Sequence, residues 1–427
     1  MGRLTSNAWA LFVVTMVLAC AAAPASAQTR RPYRALFGPG ERDEARADQF
    51  TFAMTMYSGL DDTSRFATGA LQDDGLLTGR AHQGGTMALA FLRRRPRATI
   101  TASGSSAMRY YHSLNQIGTQ KHTGGIGASL LASRRLTFRF SQEASYSPSY
   151  QLILGHAPLQ DSADVSFAAA SADYGVGREK QITFGSAAGG TYVWNESREL
   201  TFGYNLNYTN YFARPDFGLQ QGAARLTQRL TSAVALRLGY GLGSGSQAGL
   251  RSAVHHDLDI GLALNKSFAF SSRTSVGFTS GSTVISIENQ RHFELTGSVQ
   301  LRRLLSRRWS SSLEYQRGLT AIDTAPRPFV ANTLNGDMGG FIGSRVKVSV
   351  QPRYSWGADI ADAKRTFHSV IGTTRVDTAV NRNWAIFAEH FYYDYRFAAA
   401  PDLPVTLTAG MTRQGLRWGL ALWKPLR

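Results

Sequence analysis

His255, His256, Asp257 and Asp259 put four metal-ligand side chains within five positions. They are the densest set of chemically capable groups in the chain. A zinc-like site needs its donors to converge on one point. Here the flanking residues alternate, with Leu258, Ile260, Leu262 and Leu264 set against Asp257 and Asp259. On a strand, adjacent side chains point to opposite faces, so His256 joins the apolar face and His255 the face of the two aspartates. That pattern predicts a solvated histidine at a strand mouth, not a metal centre. Gly239 to Gly249 is glycine-rich, but no Lys-Ser/Thr and no helix follow, so it is no phosphate loop. Neither a Gly-x-Ser-x-Gly elbow nor a His-Glu-x-x-His pair is present. The expectation is a protein without catalytic residues, metal or cofactor.

What remains is charge at every second position of apolar strands. Arg139 stands against Phe138 and Phe140, and Arg237 against Leu236 and Leu238. Glu294 and Arg302 stand against Phe293, Leu295 and Leu301, and Glu314 against Leu313 and Tyr315. Lys347 and Arg353 stand against Val346, Val348, Val350 and Tyr354, and Arg225 joins the same set. Such charges are costly in a dry sandwich core but welcome in a wet lumen. Arg139, Arg225, Arg237, Arg302, Lys347 and Arg353 face Asp257, Asp259, Glu294 and Glu314 in the tally, a small basic excess. Basic rings in a pore favour anions, so a weak anion preference, or weak affinity for acidic polysaccharide, is expected.

The elements that carry these groups are strands with a period of two. Candidate tight turns lie near Arg95, Ser133, Ser197, Thr231, Phe270, Ser306, Ser344 and Asn381. Apart from one long interval, each interval holds two membrane strands, a longer loop and a short turn. The pattern predicts an all-β fold: one antiparallel up-and-down transmembrane barrel of about 18 strands, within a range of roughly 16–20. Gly59 to Gln83 reads as a loop, and Thr366 to Val380 and Trp384 to Tyr395 as poorer strands. Trp194, Trp309 and Trp384 sit beside tight turns and Trp423 ends the last strand. Tyr208, Tyr211, Tyr354, Trp356 and Tyr393 sit toward the opposite ends. Two interfacial aromatic girdles are expected from that placement.

The ends and totals bound the rest. Residues 1–27 read as a secretory leader, with Arg3, an apolar core from Ala8 to Ala19, and Ala25-Ser26-Ala27 as the cleavage site. Residues 28–48 read as a short periplasmic segment and 49–427 as the barrel. Cys20, the only cysteine, falls in the leader, which excludes a disulfide scaffold. The formal net charge of +17 would suggest nucleic acid in a soluble protein. Here its expected homes are turns and lumen, so no nucleic-acid partner is expected.

With leader, hairpins and last strand in view, the chain resembles Gram-negative outer-membrane β-barrels of the porin-like kind, over Phe50 to Trp423. It is also similar in size to barrels associated with exopolysaccharide secretion. It departs from the usual aromatic terminus by continuing as Lys424-Pro425-Leu426-Arg427. The resemblance implies an outer-membrane location with short turns toward the periplasm. It also implies lipid, lipopolysaccharide and the barrel-assembly machinery as partners, with periplasmic export proteins in the secretion variant. In porins the loop corresponding to Pro148–Lys180 folds inward. Its Asp161, Asp164, Asp173, Arg178, Glu179 and Lys180 are therefore expected to face Arg139, Arg225 and Arg237 and set a transverse field. A passive channel, an export component and a structural or adhesive barrel with a filled lumen are the functions left open.

Overall fold

The computed structural model describes residues 48–65, 80–111, 116–147, 150–151, 175–177, 180–212, 215–247, 253–268, 271–287, 290–322, 325–360, 364–398 and 410–426. The expected leader and all but the last residue of the N-terminal segment lie outside them, as do Asp161, Asp164, Asp173, Arg178 and Glu179.

The first strands are β1 (Asp48–Arg65), β2 (Arg80–Arg95), β3 (Ala98–Tyr111), β4 (Gln116–Ser133) and β5 (Leu136–Ser147). A small pair, β6 (Tyr150–Gln151) and β7 (Gly175–Gly177), sits apart in the long loop. Then follow β8 (Gln181–Asn195), β9 (Arg198–Tyr211), β10 (Phe217–Arg229), β11 (Val234–Gln247), β12 (Ala253–Phe268) and β13 (Ser271–Ile287). The chain continues with β14 (Gln290–Leu304), β15 (Trp309–Ile322), β16 (Ala325–Ile342), β17 (Val346–Asp359), β18 (Thr366–Ala379), β19 (Trp384–Phe397) and β20 (Gly410–Pro425).

Eighteen of these strands form one sheet. Each pairs antiparallel with its neighbours in sequence, and β20 pairs with β1 along its length, from Thr51–Pro425 to Arg65–Met411. The sheet therefore has no free edge, which is what a strand wall in lipid requires. Barrel strands run from 12 to 18 residues, longer than the roughly 9–11 that cross a bilayer. Their ends project beyond the apolar band. This is why β1 and β2 occupy much of the segment expected to be a loop. Their apolar signal stops at the membrane while the ladder goes on.

The outward register carries the apolar residues. Met56, Phe138, Phe140, Leu238, Leu242, Leu416, Trp418 and Leu420 are all exposed large hydrophobics. Val348 and Val350 share that register but are buried. The Trp309 ring lies over Gly340, the cross-strand partner of Val348. At one place the outward face is polar for a local reason. The β12–β13 ladder shifts register between Leu258 and Ala263. There Ser280 Oγ accepts from the Leu262 amide at 3.3 Å, and Ser282 Oγ donates to the Leu258 carbonyl at 3.2 Å. Backbone groups freed by a bulge in lipid must be satisfied by such side chains.

Four of the tight turns share one device. Ser133 Oγ accepts from the amides of Arg135 and Leu136, and Thr231 Oγ1 from Ala233 and Val234. Ser306 Oγ does the same for Arg308 and Trp309, and Asn381 Oδ1 for Asn383 and Trp384. A short polar side chain thus stands in for the backbone acceptor the turn lacks. Gly343, with φ of 66°, takes the left-handed position in the turn before β17. The turn expected at Phe270 lies outside the described residues.

Candidate functional site: the lumen

Register fixes the inward face of every barrel strand. Arg139, Arg225, Arg237, Asp257, Asp259, Glu294, Arg302, Glu314, Lys347 and Arg353 all fall on it. They do not converge on one level. Arg139, Arg225, Arg237, Arg302 and Lys347 lie near the ends of their strands that meet the tight turns. Asp257 and Asp259 lie toward the opposite end of β12, and Glu294 toward the opposite end of β14. The inward face also carries Glu143, Glu199 and Asp337, so seven acidic groups stand against the six basic ones counted from the sequence and the basic excess disappears. Glu199, Glu314 and Asp337 lie on the turn side as well, so both signs occur there. Asp257 is held by Gln221 Nε2 at 2.9 Å and by the Thr283 hydroxyl. Arg353 Nε donates to Asn335 Oδ1 at 2.7 Å. His256 takes the outward register and hydrogen-bonds the Tyr240 hydroxyl at 2.8 Å. Among the described residues no group of three or more His, Cys, Asp or Glu could hold a metal.

The girdle needs three corrections. Trp194, Trp309, Trp384, Tyr208, Tyr354 and Trp356 share the outward register, and the last two rings stack at 5.0 Å. Tyr211, Tyr393 and Trp423 do not. Tyr211 and Tyr393 are buried on the lumen side, and Trp423 pairs with inward Ala53. A strand flips faces at every residue. Tyr211, three positions after Tyr208, and Trp423, one after Leu422, therefore change sides.

The inward faces of β8, β9 and β11 are lined by small or neutral groups. Thr183, Gly185, Ala187, Gly189, Asn205, Asn207, Gly239 and Gly241 leave room for water. The wall around the β20–β1 seam is the reverse, and sequence reasoning missed it. Asp61 Oδ2 accepts from Arg413 Nη2 at 2.6 Å and from Arg109 Nη1 at 3.1 Å. His82 Nδ1 lies 3.6 Å from the other carboxylate oxygen. All four side chains are buried. Arg417 lies 4.5 Å over the Phe391 ring and 5.3 Å over Tyr57, with Glu389 3.8 Å away. Arg375 bridges Glu389 at 3.4 Å and Asp377 at 2.7 Å and covers the Phe387 ring at 4.1 Å. The network thus ties β18, β19, β20, β1, β2 and β3 together across the lumen face.

Glycines make that packing feasible. A Cβ on Gly415 would come within 2.5 Å of both Asp61 and Phe391, and one on Gly84 within 2.4 Å of Tyr57. Large inward side chains lean into the space that inward glycines leave on the neighbouring strand. The available signal was Glu389 sharing a face with Phe387, Phe391 and Tyr393. A charge among aromatics marks a packed inward face rather than a lipid-facing one.

No protein-family model and no curated protein matches the chain. Among solved structures, OccK11 (OpdR) of Pseudomonas aeruginosa is 11% identical, with a TM-score of 0.44 over 89% of this chain and 96% of that one. OccAB4 of Acinetobacter baumannii is 10% identical, with a TM-score of 0.42 over 88% and 98%. The FrpB iron transporter of Neisseria meningitidis is 6% identical, with a TM-score of 0.43 over 85% and 66%. At these values the likenesses add nothing to the barrel already in view.

Proposed function

We propose that the chain is a porin-like channel of a Gram-negative outer membrane, passing small polar solutes with at most a slight preference for anions. The supporting observation is the pairing of a closed 18-strand wall with an inward face of small, neutral and mixed-charge residues over β8 to β11. A barrel of this strand number is wide enough to leave an aqueous passage. Lipid meets the outer face, with lipopolysaccharide at the loop rim.

Purified protein in a planar bilayer tests this. Discrete conductance steps with a reversal potential close to zero in a salt gradient are the expected result. A silent bilayer with folded protein in it would defeat the channel reading. It would favour a barrel with a filled lumen, the reading that the buried seam wall supports. Strong cation selectivity would defeat the slight anion preference alone.

A further inference from the structure

We propose that the turn rim is a docking surface for anionic phospholipid headgroups in the leaflet it meets. The proposal rests on the membrane reading above. Turn after turn on this rim sets an exposed apolar side chain beside an arginine. Leu130, on the outward register, precedes Arg134 and Arg135, Leu305 lies between Arg303 and Arg307, and Val380 precedes Arg382. These five guanidinium groups are exposed and have no carboxylate partner among the described residues. The opposite rim differs: Arg317 pairs with Glu294 at 2.8 Å, Arg365 with Asp359 at 3.9 Å and Arg396 with Asp394 at 3.6 Å. Among the described residues the turn rim also holds paired arginines, Arg93 and Arg95 with Asp48, but these five leave positive charge uncompensated at its turns.

The apolar neighbours decide the occupant. An acidic soluble partner would leave Leu130, Leu305 and Val380 in water beside the contact. A lipid surface takes both groups, the apolar side chain below the headgroups and the guanidinium at the level of the phosphates. Ser133, Ser306 and Asn381 hold the three turns in shape through their amide hydrogen bonds. The arginines therefore stand at a fixed depth. A guanidinium can grip a phosphate with two parallel donors.

The test uses the full chain in vesicles of phosphatidylcholine or of equal parts phosphatidylcholine and phosphatidylglycerol, with either lipid brominated. Tryptophan quenching reads which lipid surrounds the barrel. Brominated phosphatidylglycerol should be favoured by about fivefold, the ratio that one cation near an anionic surface carries. Replacing Arg134, Arg135, Arg303, Arg307 and Arg382 with Gln should bring the ratio to parity, and replacing them with Lys should keep most of it. Heat-modifiable migration shows that each variant is folded. Sodium chloride and sodium phosphate at equal ionic strength should weaken the preference equally. A loss specific to phosphate would mean that the turns hold the free ion and would overturn the lipid assignment. Parity in the wild type would overturn it as well. Failure to insert into either vesicle would instead sink the membrane reading.

Discussion

The same closed ladder carries two opposite wall designs. From β18 through the β20–β1 seam to β3, the inward face holds arginine, carboxylate and aromatic side chains packed onto one another. Phe391, Tyr393 and Tyr395 there are fully buried. From β8 to β11 the inward face is mostly glycine, alanine, threonine and asparagine. The backbone hydrogen bonding is equivalent in both, so inward side-chain volume decides which wall is stiff and which is wet. A barrel can thus place its stability on one side of the lumen and its conduction on the other.

The seam side is the place to break this contrast most severely. Asp61→Ala removes the carboxylate between Arg109 and Arg413. Losing one member of a buried ion network costs about 3–5 kcal/mol, and urea unfolding in detergent should read a loss of that order. A change near zero would mean that the network contributes no net stability. Gly415→Val drives a side chain against Asp61 and Phe391. Overpacking of this kind costs about 1–3 kcal/mol, seen as a lower unfolding midpoint. On the open side, Asn205→Trp should leave stability within about 0.5 kcal/mol and lower single-channel conductance. Equal destabilisation at Asn205 and Gly415 would erase the distinction between the walls.

The smallest expected effect lies outside the barrel wall, in the loop between β9 and β10. The Asp216 carboxyl is held below its usual 3.8, chiefly by the hydrogen bond that it accepts from the Tyr208 hydroxyl. Asn210 Nδ2 at 3.0 Å and the Tyr211 amide at 3.3 Å also donate to it. A depressed folded value means that any contribution to loop order is complete above 3.8. It is lost as pH falls through the lower value. The Tyr208 ring resonance should stay fixed at neutral pH and shift only on the acid side of that value. Movement near neutrality would show that another group controls the loop.

Strand number, antiparallel order and turn positions were legible because lipid on one face imposes strict alternation. Leu236, Leu238 and Tyr240 against Arg237 cannot be read otherwise. The seam network was not legible, for two reasons. Asp61 and His82 are followed by polar and glycine residues, Asp62 and Thr63, Gln83 and Gly84, so no alternation marks their face. In β19, Phe387, Phe391 and Tyr393 put bulk inward, which inverts the usual cue that aromatics mark the lipid side. Of the partners of Asp61, Arg109 comes from β3, two strands on, but Arg413 comes from the last strand, and only closure brings it there.

That closure has a kinetic consequence. Each hairpin joins near neighbours in the chain, but Asp61 and Arg413 are 352 positions apart. Bringing such distant ends together carries the largest loop-closure entropy in the molecule and slows folding. Hairpins can zip early and independently, while the last ladder waits for both ends of the chain. Weakening this ion pair should delay completion of assembly and leave the pace of hairpin formation unchanged.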